Sequence, residues 1–341
     1  PTNGVDYGLR YNQHAGTLDG ELVNASNNFY HKPQFSLRHS WTPTKRLFIS
    51  NVAYLSVGNG GGTRVDGSLF GQDDLFRNGG QFDLDSIYRA NQTVNIFRPD
   101  GGLSENYLFA NKNNHFWYGL LSTVEFKMDE NWTFSGGIDL RSYTGEHLRE
   151  VHDLLGGEFI RNNSDIINYR LPEDEKLFVG DNILYNYKSY IQWGGLFGLA
   201  EYEKDGLSAF LNLSAARSIY SYEDFLGRKI LTTDNFTTRI AAGDTITDGD
   251  QIYTIDSPEA ENLKISNIVR PSFTIKTGAA YRLDEKHNVF FNVGYLSRPT
   301  RFTNVINSYQ NNADDDAQKA TSIRNEIITS FEFGYGFKSK Y

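Results

Sequence analysis

Four stretches of the chain, residues 33–57, 115–143, 187–220 and 271–295, follow one plan: an alternating apolar and polar run, a tight polar turn, then a second alternating run. In the first, Phe35, Leu37 and Trp41 share one face and Gln34, Ser36, Arg38 and Ser40 the other, the two-residue period that a strand imposes. After a turn at 42–46, Leu47, Ile49, Ala53, Leu55 and Val57 continue an apolar face. The second sets Val124, Phe126 and Met128 against Thr123, Glu125 and Lys127, turns at 129–131, and resumes with Trp132, Phe134, Ile138 and Leu140 against Thr133, Ser135, Asp139 and Arg141. The third turns at Asp205-Gly206, a dipeptide suited to the positive φ of a two-residue hairpin. The fourth turns at 284–286, a ninth run covers 325–338, and a tenth is expected near 5–11.

The runs span about 11 to 14 residues, where strands of soluble domains usually span about 5 or 6. That is the length needed to cross a hydrocarbon layer at a tilt. Connections of roughly 25 to 55 residues separate the hairpins, so tight turns fall at one end and long loops at the other. The pattern predicts an all-β chain: a transmembrane antiparallel up-and-down β-barrel with short periplasmic turns and long extracellular loops. Aromatic residues collect near run ends, at Tyr30, Trp41, Phe116, Trp117, Tyr118, Trp132, Tyr143, Tyr187, Tyr190, Tyr220, Tyr222, Tyr281 and Tyr295, where an interfacial belt is expected. Phe126, Ile138, Leu211, Phe273 and Phe331 are expected on the exterior, and Glu125, Asp139, Lys276 and Glu332 in the lumen.

Composition agrees with strands and girdles: Phe and Tyr supply 45 residues and Gly 32, against one Met and no Cys. The missing Cys excludes a disulfide framework and a thiolate metal site. No run of about 18 apolar residues exists and mean hydropathy is −0.51, which excludes a transmembrane helix but not a barrel, whose strands put only alternate residues into lipid. No linker or compositional break divides residues 1–341, so one architecture is expected throughout. The net charge of −9 is concentrated in the long loops, with roughly 28 acidic and 17 basic residues, which opposes nucleic acid as a partner.

Specific stretches then carry a resemblance: 31–41 (HKPQFSLRHSW), 57–63 (VGNGGGT), 114–123 (NHFWYGLLST), 136–143 (GGIDLRSY) and 288–299 (NVFFNVGYLSRP). Together they resemble the barrel portion of TonB-dependent outer-membrane receptors, particularly those with a carboxypeptidase-like regulatory domain ahead of the plug. The resemblance implies a barrel of 22 strands, of which this chain would supply about nine or ten as an internal fragment. Plug, TonB-contacting box and regulatory domain are absent from the sequence. An incomplete barrel of this kind should leave two unpaired edge strands.

Candidate chemistry is sparse. The stretch 244–250, with Asp244, Asp248 and Asp250, is similar to a calcium loop but lacks the EF-hand spacing, and a solvated turn is preferred. Asp314, Asp315 and Asp316 are expected simply to be hydrated. Glu146, His147, Glu150 and His152 fall in an expected loop without the His-Glu-x-x-His spacing. The glycines at 58–62 are expected to form a flexible exit from a strand. No nucleophile and base stand together, so no catalytic, cofactor-binding or metal site is assigned and no enzyme or cofactor is expected. Lumenal Glu125, Asp139, Arg141, Lys276 and Glu332 would either pair with a plug or with each other and water.

The leading expectation is a barrel segment of an active importer in the cell outer membrane, taking up a nutrient such as a glycan, peptide or metal chelate. Its expected partners are outer-membrane lipid, the TonB complex through the missing N-terminal part, and the imported ligand; a surface lipoprotein is a further candidate. Capture is expected in the loops 58–113, 144–186 and 223–270, where Phe70, Phe76, Tyr88 and Tyr107 would stack on ligand or pack loop on loop. The rival expectation is a passive porin or an outer-membrane enzyme with a loop-borne site.

Overall fold

The computed structural model describes residues 11–71, 77–78, 80–97, 101–307, 318–319 and 323–339. Ten strands make the main sheet: β1 (Asn28–His31), β2 (Gln34–Thr44), β3 (Leu47–Asp66), β4 (Tyr107–Lys127), β5 (Trp132–Asp153), β6 (Asn182–Lys204), β7 (Leu207–Asp224), β8 (Lys264–Arg282), β9 (His287–Arg298) and β10 (Glu326–Phe337). From β2 onward each strand pairs antiparallel with the next in sequence, an up-and-down meander. β1 and β2 share one side of β3, so the sheet has nine staves. Among the described residues no ladder joins β10 to β1 or β2, and both outer staves present an edge. Among the described residues the tenth strand is β1; of the run expected near 5–11, all but Tyr11 lies outside them.

Register makes the two faces explicit. Leu47, Phe126, Phe134, Ala200, Leu211, Thr277, Val293 and Phe331 stand in one row across β3 to β10. One residue along every strand, on the other face, the row is Phe48, Glu125, Ser135, Leu199, Asn212, Lys276, Gly294 and Ser330. Because neighbouring side chains point oppositely, a single register separates an apolar outer face from a mixed, largely polar inner one. Phe126, Ile138, Leu211, Phe273 and Phe331 share the outer face, while Glu125, Asp139, Lys276 and Glu332 share the inner one, as the alternation requires. Outer-face Leu213, Phe273, Phe331 and Phe333 are all exposed, the burial of a soluble sheet turned inside out.

The apolar outer band has an upper border. Twelve residues above Phe126, the outer row becomes Asn114, Glu146, Lys188, Glu223 and Lys264, with Lys188 Nζ 3.4 Å from Glu146 and Lys264 Nζ 3.6 Å from Glu223. Lys112 and Glu150 pair at 2.6 Å on the same side. At about 3.3 Å per residue and a tilt of about 40°, this ladder stands about 30 Å above the Phe126 row, close to the thickness of a hydrocarbon layer. Between the two rows the outer face of β4 to β8 carries one charged side chain, Arg217 of β7, six residues below Glu223.

Above that border the structure departs from expectation. β3 to β8 run 18 to 23 residues rather than 11 to 14 and continue into what alternation had assigned to loops. Ladder hydrogen bonds do not need an apolar face, so strands persist where the period-2 signal stops. Glu146 and His147 lie in β5, on opposite faces, which removes them as joint ligands. Gly58 to Gly62 lie inside β3 rather than at a flexible exit. A Cβ on Gly61 would sit 2.6 Å from the Asn111 carbonyl, and one on Gly62 would sit 2.5 Å from Asn28 Oδ1. Glycine here permits close strand approach.

The remaining chain folds as a cap of small sheets, turns and short helices, the longest being α1 (Leu84–Phe97), which alternation had not revealed. Asp83 caps it, accepting from the Ser86 N–H at 3.0 Å and hydroxyl at 2.8 Å. Leu84, Ile87 and Asn91 form its buried stripe. Within the cap, Phe70, Phe82, Leu84 and Ile87 make one apolar cluster, and Tyr107, Phe109, Val151 and Leu177 another. Phe70 and Tyr107, weighed as ligand platforms, thus pack loop against loop; Tyr88 is partly exposed, and Phe76 lies outside the described residues.

Candidate functional site

Three cavities line the inner face of the sheet, which is therefore its concave side. The one most densely furnished with aromatic and nitrogen-bearing side chains, about 660 Å³, lies just below the level of the charge ladder. Register builds it from two adjacent inner rows: Tyr54, Gly119, Arg141, Trp193, Ser218 and Arg270; then Ser56, Trp117, Tyr143, Ile191, Tyr220 and Ile268. Tyr30 and Lys32, from β1 and the link to β2, close one side, and Asn113, His115 and His147 form the top.

The aromatic groups hold one another. Tyr54 meets Trp117 edge to face at 5.6 Å, His115 stacks on Tyr143 at 6.1 Å, and the Arg141 guanidinium lies 5.9 Å from the Trp193 ring. Gly119 makes this possible, since a Cβ there would collide with the Tyr54 hydroxyl at 2.3 Å. Arg141 forms a two-point pair with Asp139, with Nε donating at 2.8 Å and Nη2 donating to the second oxygen. His147 is tied to Asn113 at 2.7 Å and stacks on Tyr187, and the Tyr220 hydroxyl donates to the Thr300 carbonyl at 2.9 Å. Two buried nitrogens here have no partner, His115 Nε2 and Trp193 Nε1; in the Trp193 row, Arg270 Nε is likewise unpartnered.

Parity corrects the belt read from sequence. Phe116, Tyr118, Trp132, Tyr190, Tyr281 and Tyr295 lie on the outer face, but Trp117, Tyr143, Tyr187, Tyr220 and Tyr222 lie on the inner one. The signal that separates them was present: counting by twos from each tight turn assigns every one to its face. Cross-strand partners were not readable in that way. Of the lumenal charges, Asp139 pairs with Arg141 two residues along its strand, and Glu332 accepts from Asn292 across strands at 3.0 Å. In 244–250, Asp244 accepts from the Ala241 N–H and Asp248 from Asn235, and Gly249 turns the chain at a φ of 60°. Around that turn Ile246–Asp248 pairs with Gln251–Tyr253 as a short hairpin. Among the described residues no three His, Asp or Glu side chains converge as metal ligands, and Asp314 to Asp316 lie outside them.

The cap is latched by polar side chains. Asn91 Nδ2 donates to the carbonyls of Asn106 at 2.7 Å and Leu155 at 2.8 Å, while its Oδ1 accepts from the Asn106 N–H at 3.1 Å. Arg170 reaches the carbonyls of Gly227 and Asp224 and the Asn262 amide oxygen, joining two loops. Burial pulls the Arg170 pKa down, against the opposing pull of Asp224 and Glu223. Burial pushes the Tyr222 and Tyr107 hydroxyls well above their ordinary range, reinforced by the adjacent Asp224 and Asp66 carboxylates that they donate to.

Among solved structures the chain is similar to the copper transporter OprC, with a TM-score of 0.51 at 11% identity over 94% of this chain. The match covers 39% of that protein's own length, so this chain spans about two fifths of it. At that identity the likeness is one of fold: a nearly all-β antiparallel meander forming the wall of a transmembrane barrel. No protein-family model and no curated protein matches the chain.

Proposed function

We propose that this chain is part of the wall and outer cap of an energy-coupled importer in the cell outer membrane, acting with a plug supplied by another part of the protein and with the TonB complex as its partner. The observation that carries the reading is the coincidence of three features on one sheet. These are a lipid-facing apolar outer face, a ligand-sized cavity on the opposite face, and a packed cap above it. A cap with its own core restricts free diffusion, which favours capture and commitment over passive flow. The fold likeness to a copper transporter supports transport as the class of activity and keeps a metal chelate among the cargo classes, beside glycans and peptides.

The test is uptake of candidate nutrients by cells carrying the full-length gene, with and without a protonophore or a deletion of the energy-coupling complex. The importer reading expects uptake to stop under both treatments. Uptake that persists, together with steady ion conductance of the purified protein in planar bilayers, would replace it with a passive porin.

A further inference from the structure

Resting on the importer reading, we infer that the cavity beneath the cap binds a ring-bearing carboxylate: a ligand that couples a flat apolar ring face to an anionic oxygen pair. The first argument is the sign of the lining. The whole chain carries a net charge of −9, yet no Asp or Glu lines this cavity, while Lys32, Arg141, His115 and His147 do. Of the two permanent cations, Arg141 is already matched by Asp139, so Lys32 is left as the charge available to a ligand.

The second argument is an excess of donors. Trp193 Nε1 can only donate, and it is buried without a partner; His115 Nε2, in the same lining, is likewise unpartnered. Buried donors without acceptors are rare unless a group absent from the structure satisfies them. A ligand rich in acceptor oxygens does that, and a carboxylate next to an ammonium group does it with charge-assisted bonds. The third argument is shape. Trp117, Tyr143 and Trp193 present rings from adjacent strands, a lining that suits a flat ring better than a branched aliphatic chain.

The test uses the full-length protein purified in detergent and isothermal titration with three probes. These are the trisaccharide of galacturonic acid, its methyl-esterified counterpart, and 4-hydroxybenzoate, which separates a sugar ring from an arene. A carboxylate probe should bind with a Kd below about 1 mM. For the sugar pair the acid should exceed the ester at least tenfold. Lys32→Met should abolish that preference, and Trp193→Phe, which keeps a ring but removes the N–H, should weaken the preferred probe about tenfold. The outer-face variants Trp41→Phe and Trp132→Phe should change neither, and heat-dependent gel mobility verifies that each variant is folded. Equal affinity for acid and ester, no saturable binding of any probe to about 1 mM, or indifference to both Lys32→Met and Trp193→Phe would each overturn the inference. Energy-coupled uptake with indifference to the carboxylate would sink it and leave the importer reading standing; the converse pattern would do the reverse.

Discussion

The wall and the cap are made of the same residue types placed in opposite environments. On the wall, Phe331 and Phe333 are 73% and 75% exposed; in the cap, Phe159 and Leu231 are 1% and 0% exposed. The backbone in both is mostly β, so secondary structure does not decide which way an apolar side chain turns. Solvent does: below the ladder of Glu146, Lys188, Glu223 and Lys264 the surroundings are acyl chains, and above it they are water, from which apolar groups must be withdrawn into a protein core.

That comparison breaks first under a paired truncation. Leu231→Ala should cost about 2–5 kcal/mol in the cap, because rigid neighbours leave a cavity. The same change at Leu213 on the wall should cost only the lost transfer energy, about 1–2 kcal/mol, since lipid tails flow into the gap. Hydrogen exchange of the segment around Lys229–Thr232 and urea titration of protein inserted in lipid vesicles measure the two; equal costs would mean that the cap has no packed core or that the wall is not bathed in lipid.

A charge sharpens it next. Leu213→Arg, on the outer face of β7 two residues from Leu211, should cost about 2–4 kcal/mol in the same titration, whereas Asn212→Arg, one residue away on the inner face, should cost little. Similar losses at both positions would defeat the two-faced assignment.

Within the cap, Asn91→Ala strands the carbonyls of Asn106 and Leu155 and should cost about 1–3 kcal/mol. The loss should appear as proteolytic cleavage near Leu154, with barrel heat stability unchanged. The smallest expected effect is one of pH. The folded pKa values of Tyr107 and Tyr222 lie above the ordinary 10.0, so their contribution is intact below pH 10 and declines as pH rises beyond it, where the unfolded chain ionises first. Protease sensitivity of the cap should therefore rise above about pH 10 while the wall holds. A cap unaffected up to the onset of wall unfolding would remove these two hydroxyls from the latch.

The wall was legible because a strand between lipid and lumen needs alternation at each residue, and Phe126 beside Glu125 or Ile138 beside Asp139 can be satisfied in only one register. Asp205-Gly206 announced its turn for an equally local reason: their φ values are 47° and 82°, a conformation that few dipeptides adopt cheaply. The cap was not legible, because its order rests on distant partners. Nothing near Asn91 in sequence indicates Leu155, and nothing near Arg170 indicates Gly227 or Asn262. Helix α1 was hidden for a related reason: among its described side chains the buried stripe is Leu84, Ile87 and Asn91, one of them polar. The cavity stood in between, since parity assigns Trp117, Tyr143 and Trp193 to the inner face but only cross-strand register stacks them in neighbouring rows.

By itself, then, the amino-acid order determined the all-β class, the hairpin turns and the outward or inward sense of each wall residue, since these follow from period, turn geometry and the contrast between lipid and water. Only the tertiary structure decided how far the strands continue past the lipid border, which loops lock together, and which rings and unpartnered donors share a cavity. Those features depend on contacts between residues tens of positions apart, where backbone pairing and buried hydrogen bonds act without leaving a local pattern in the chain.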